Sequence, residues 1–114
     1  MPYISVRTTV DIKKQKEEEL KTKLGKAIEI FPGKTESYLM VDITGGCSLY
    51  FRGDNSKDTA FVEVKILGKS NRDIFTAMTN EICSILKSVI DVPSDRVYVK
   101  YEEVTHWGFN GSNF

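Results

Sequence analysis

The chain has 114 residues, and its 16 lysines and arginines balance 16 aspartates and glutamates, giving a formal charge of zero. Such a balance supplies no global field for drawing in nucleic acid or an anionic membrane. One histidine and two distant cysteines, Cys47 and Cys83, argue against a metal site or a disulfide framework, and the length suits one domain spanning residues 1–114.

The predicted elements follow in chain order. "YISVRTTV" alternates apolar and polar residues, as a half-buried strand does. "KKQKEEELKTK" mixes both charge signs and reads as the solvated face of a helix. The other face of that helix is marked by Leu20, Leu24, Ala27, Ile28 and Phe31 at helical spacing. "FPGK" ends it, because proline cannot continue a helix and glycine tolerates the turn. "SYLMVDI" is predicted as the second strand. "GGCSLYF" and "RGDNSKD" form a joint, with a short strand expected around Leu49 to Phe51. "AFVEVKIL" is the third strand, a second helix runs from about Asn71 to Val89, and "RVYVKYE" is the fourth strand. The tail "WGFNGSNF" sets aromatics among turn formers. No apolar stretch approaches the ~18 residues of a membrane span. The N-terminus lacks the basic and apolar regions of a signal peptide, so a cytoplasmic location with reduced thiols is expected.

A repeat underlies this order. Shifted by 58 residues, Ile4 and Val6 meet Val62 and Val64, Leu20 and Leu24 meet Met78 and Ile82, and Leu39 and Val41 meet Val97 and Val99. The pseudo-repeats cover about residues 1–51 and 59–103, and residues 104–114 form a C-terminal tail. Each half reads strand, helix, strand. Two β-α-β units of one hand give an α+β fold, a four-stranded mixed sheet with both helices on one face. Alternation turns Ile4, Val6, Val62, Val64 and Val99 toward the helices and Tyr3, Tyr38, Met40, Lys65, Tyr98 and Lys100 away. That second face is too aromatic for plain surface and too charged for a dry core. It suggests sheets gathered around a polar interior by self-association, which exposed sheet edges also favour.

"MP" at the start, "GK" after the first helix, "ILG" after the third strand, "SDRVYVKY" and "GFNGSNF", set on this repeated plan, resemble the macrophage migration inhibitory factor family of the tautomerase superfamily. The resemblance covers the whole chain. It implies a homotrimer with a central channel and an active pocket at each subunit interface. It also implies cofactor-free keto–enol tautomerisation of phenylpyruvate-like or dopachrome-like acids. That reaction needs a base active near neutral pH, a cation for the carboxylate and an apolar slot for the ring.

Pro2 supplies the base by resemblance, provided Met1 is removed; otherwise a proline here simply starts a strand. Lys34 is at the family's lysine position and would hold the substrate carboxylate, although a lone lysine after a helix more often serves as a C-terminal charge. Leu67 stands where the family usually has isoleucine, and the contact there is through the backbone. Tyr98 and Lys100, two apart on one strand, enter a neighbouring subunit's pocket by resemblance. Lys100 departs from the family's asparagine, which favours a more acidic substrate; the other reading pairs it with Glu102 or Glu63. Trp107 and Phe109 line the pocket and Phe114 closes near it, again by resemblance. "DTAF" replaces the C-x-x-C of some animal members, so no thiol–disulfide activity is expected. The rival reading is a cytokine-like protein that binds a host receptor and has a vestigial pocket, although no feature of the sequence indicates a receptor. A third is a trimeric scaffold with no ligand.

Overall fold

Period-two alternation and β-branched residues place "PYISVRT" in an extended strand, and in the computed structural model, which describes all 114 residues, Pro2–Thr8 form β1. The order continues with α1 (Lys14–Ala27), β2 (Met40–Thr44), β3 (Ala60–Leu67), α2 (Arg72–Ile90) and β4 (Val97–Val104). A small hairpin of β5 (Gly108–Phe109) and β6 (Ser112–Asn113) ends the chain. The main sheet has the order β2-β1-β3-β4. β1 runs parallel to β2 and antiparallel to β3, and β3 runs parallel to β4. The sheet is therefore mixed, as expected, with each parallel pair joined by a helical crossover.

Both helices cover the same face. Leu20, Leu24 and Ile28 from the first half, with Met78, Ile82 and Leu86 from the second, are completely buried against Ile4, Val6 and Val62. Each such side chain contributes about 1.5–3 kcal/mol relative to exposure. The edge strands β2 and β4 bury their inward residues only in part, and Val41, Ile43, Val97 and Val99 pack on the margin of the core.

The helices begin and end by different devices. Asn71 caps α2, its side-chain oxygen accepting the Ile74 N–H at 3.1 Å. Asp91 ends it in the left-handed region at φ 56°, 2.6 Å from the Lys87 ammonium. α1 has no side-chain cap, and its last turn tightens to a 3-10 turn over Ile28–Ile30. Phe31 is then extended, as a residue before proline prefers, and Gly33 turns the chain at φ 80°.

Three local expectations need correction. The second strand begins at Met40 rather than Ser37, because Glu36–Tyr38 make a 3-10 turn. Thr35 Oγ1 accepts the Ser37 N–H and the Leu39 N–H donates to the Glu36 carbonyl, so local bonds compete with the sheet ladder. The strand expected around Leu49 to Phe51 is reduced to a single bridge, Phe51 to Asp54. The tail, left without regular structure by its pattern, is a hairpin. Its turn residues Asn110 and Gly111 have φ of 54° and 81°, the signs a type I′ turn requires.

Candidate active site

The strand register decides which residues can meet. Pro2 opens β1, is buried, and pairs with Ile66 of β3. The main chain of β3 therefore ends beside the N-terminus. There the Leu67 N–H donates to the Met1 carbonyl at 3.0 Å. The Leu67 carbonyl in turn accepts from the Lys34 ammonium at 3.3 Å. Lys34 reaches this point because the Phe31–Lys34 turn, closed by the Lys34 N–H on the Phe31 carbonyl at 3.1 Å, folds the segment after α1 back over the sheet end. One strand terminus thus holds a backbone donor, a cation and the chain's amino end together.

A cavity of about 500 Å³ opens at this point, lined by Met1, Pro2 and Tyr3, by Ser37–Met40, by Lys65 and by Trp107–Phe109. Its aromatic wall comes from two directions. Tyr38, carried by the 3-10 turn, meets Phe109 edge-on at 6.0 Å. Phe109 stacks on Phe114 at 6.1 Å with the rings 12° apart, and the Phe114 N–H donates to the Trp107 carbonyl at 3.0 Å. The hairpin turn is what folds Phe114 back onto Phe109. Such aromatic faces and edges suit a flat ring, and Met1 and Pro2 line the same cavity.

The electrostatics at the N-terminus favour a neutral amine. The N-terminal ammonium, Met1 in this chain, is held below its ordinary value, first by burial and second by the nearby Lys34 charge. No acidic side chain lines the cavity.

Of the residues singled out by sequence, Pro2, Trp107 and Phe109 share the cavity, Lys34 and Leu67 stand at its margin, and Phe114 backs its wall. Tyr98 and Lys100 are elsewhere in the same chain. Tyr98 lies beside Phe61, which lies beside Arg7, so it is two strands across and five residues along from Pro2. That is on the order of 20 Å. There Tyr98 packs edge-on to Phe51 at 5.2 Å and to Phe61 at 6.4 Å. Lys100 contacts Glu102 at 3.0 Å and Glu63 at 3.7 Å, so both pairings left open by the sequence are made. Glu102 holds its ammonium above the ordinary value, chiefly through that hydrogen bond.

Tyr38, Met40 and Lys65 are among the pocket residues that the sequence did not single out. Alternation put all three on the outward face of the sheet, but the register, Tyr3 beside Met40 and beside Lys65, is what brings Met40 and Lys65 to Pro2, and the 3-10 turn brings Tyr38. The largest concavity, about 880 Å³, runs along the exposed side of α2 from Ser70 to Lys87. Serines, threonines and asparagines supply seven of its twelve lining residues, and burial pushes the Cys83 thiol within it up. A raised thiol is a poor nucleophile, so the smaller cavity is the better candidate.

Comparison with known proteins agrees with this architecture. The family model described as macrophage migration inhibitory factor matches residues 1–114. A macrophage migration inhibitory factor from Xenopus laevis is 28% identical over 116 residues, covering 100% of this chain and 99% of the relative. The crystal structure of Leishmania major MIF2 superposes with a TM-score of 0.91 at 27% identity, covering 100% of this chain and 97% of the other. A homologue from Prochlorococcus marinus superposes at 0.82 with 29% identity, covering 98% of each chain.

Proposed function

The chain belongs to the macrophage migration inhibitory factor family, and from that premise we propose that it is a cofactor-independent keto–enol tautomerase acting on phenylpyruvate-like α-keto acids. Related enols of the dopachrome type fall in the same class. The observation that carries the proposal is the convergence at Leu67. Its N–H points at the Met1 carbonyl, and its own carbonyl holds the Lys34 ammonium, directly beside the residue 2 nitrogen.

With Met1 in place the Pro2 nitrogen is an amide and has no basic lone pair. Removal of Met1 turns it into a secondary amine. It also frees the Leu67 N–H, which then donates to a substrate carboxylate oxygen while Lys34 supplies the opposite charge. The aromatic ring lies between Tyr38, Trp107 and Phe109. Pro2 then removes a proton from the carbon next to the ketone. The C–H electron pair becomes the new C=C bond, and the ketone oxygen takes the negative charge. Return of the proton from Pro2 to that oxygen completes the enol, and the reverse order ketonises it. Burial and Lys34, which lower the pKa of the Met1 amine here, would act in the same direction on a Pro2 amine at this place and favour its unprotonated form.

In this proposal the cytoplasmic protein works as a homotrimer, in which Tyr98 and Lys100 reach a neighbouring subunit's pocket. The exposure of Met40 and Tyr98 on one sheet face, 68% and 59%, supports burial against other copies. The test compares Met1-retained and Pro2-terminated protein, with N-termini verified by intact mass. Phenylpyruvate turnover is expected only in the second form, and Pro2→Gly is expected to lower it by about 10²–10⁴-fold with the oligomer intact. Equal turnover by both N-terminal forms would overturn the assignment of Pro2.

A further inference from the structure

Two lysines stand at this cavity, and only one of them is needed for an α-keto carboxylate. Lys34 sits at the margin on the Leu67 carbonyl. Lys65 lines the cavity itself, on the outward face of β3 two residues before Leu67. Its ammonium lies 5.8 Å from the centre of the Tyr3 ring.

Lys65 has acidic neighbours on its own strand and across the sheet, but each is already engaged. Asp42 on β2 accepts from the Tyr3 hydroxyl at 2.9 Å. Glu63 and Glu102 both close on Lys100, at 3.7 and 3.0 Å. Glu102 stands beside Lys65 in the ladder, yet its carboxylate bonds to Lys100, and Lys65 acts on it only at longer range. Lys65 is left with an aromatic face and no carboxylate in contact, in a cavity without an acidic lining residue. Lys100, the cation that sequence alone would connect to an acidic substrate, carries two counter-ions.

We propose that Lys65 is a second anion anchor and that the preferred substrate of this pocket is a dianion. The α-keto carboxylate takes Lys34 and the Leu67 N–H, and a second carboxylate at the far side of the ring takes Lys65. Lys65 and Leu67 are two residues apart on one strand, so their Cα atoms are roughly 6–7 Å apart before side-chain reach is added. That span suits two charges separated by one aromatic ring. The inference deepens the tautomerase reading and rests on it for the placement of the first carboxylate.

The test measures binding separately from turnover. Full-length protein with a Pro2 terminus is titrated calorimetrically with cinnamate and with 4-carboxycinnamate, neither of which can enolise. The dicarboxylate is expected to bind on the order of tenfold more tightly, the scale of one partly desolvated charge-assisted contact. Lys65→Met is expected to bring the ratio of the two dissociation constants to about one, and Lys65→Arg to retain it. A ratio near one in the native chain, or a preference that survives Lys65→Met, would overturn the inference. Turnover of phenylpyruvate and of 4-carboxyphenylpyruvate is followed in parallel. Absence of both reactions would remove the tautomerase reading, whereas the binding ratio still decides the role of Lys65.

Discussion

Arg96 is 7% exposed and fastens the joint between the two halves. Its guanidinium donates to the carbonyls of Lys57 at 3.0 Å, Asp54 at 3.1 Å and Phe51 at 3.4 Å, and it lies 5.2 Å from the centre of the Phe51 ring. Replacing it with methionine keeps the stem but removes all three donors. Hydrogen bonds from a charged group contribute about 1.5–3 kcal/mol each. Two of these are short and one is long, and the released carbonyls belong to a surface loop where water replaces part of the loss. The buried Nε–H has no acceptor, so its removal returns a little stability. The net destabilisation expected for Arg96→Met is about 3 kcal/mol. At roughly 2.1 cal/mol/K of unfolding entropy per residue, that lowers Tm by about 12 °C in a chain of 114 residues. Scanning calorimetry at matched protein concentration measures it, and tryptic cleavage after Arg52 and Lys57 reports release of the loop. Arg96→Lys, which offers donors without the fork, should fall between the two. A Tm within about 2 °C of the native value for Arg96→Met would refute the reasoning.

Lys34→Met removes a positive charge beside the N-terminal amine, so the amine's pKa rises. The acidic limb of the pH–rate profile should move upward, while KM for phenylpyruvate increases; an unmoved limb would separate Lys34 from the amine. Two glycines should respond to alanine with opposite sign. At Gly25, inside α1, a Cβ meets only the flexible side chain of Glu36, so Gly25→Ala should stabilise by about 0.5–1 kcal/mol in urea melts. At Gly45 the Cβ would stand 2.7 Å from the Val10 carbonyl oxygen, which cannot swing away, and Gly45→Ala should destabilise.

Much of this architecture is legible in the chain because its signals are local. Alternation in "AFVEVKIL" marks all eight residues of β3, and the spacing of Met78, Ile82 and Leu86 fixes the buried face of α2. The 58-residue shift pairs residues that do occupy equivalent places, such as Leu24 and Ile82 at the centre of the core. Errors arise where side chains compete with the backbone ladder. Thr35 and Glu36 draw Ser37 and Leu39 out of the predicted strand, and in doing so aim Tyr38 at the cavity. The hairpin signal was present in Asn110-Gly111, but its two-residue strands are too short for alternation to register. Lys65 could not be found by pattern, because its place depends on which residues of β1 and β2 lie beside it. Periodicity gives a face, whereas register gives a neighbour.

The sheet's ladders also bear on how the chain reaches this state. None of the three pairings in the main sheet is a hairpin. Tyr3 lies beside Met40, Ala60 beside Val97, and Pro2 beside Ile66. Each join spans a helix or half the molecule, so loop-closure entropy is lost before any rung is formed. The crossover helices are the only large elements that can form early from local contacts, and β1, the strand at the heart of the sheet, must wait for β3 to be synthesised. A topology of this kind places folding toward the slow, millisecond-to-second end of the single-domain range. Until β3 arrives the apolar stripe of β1 is open to other chains, and packing of α1 against it covers that stripe.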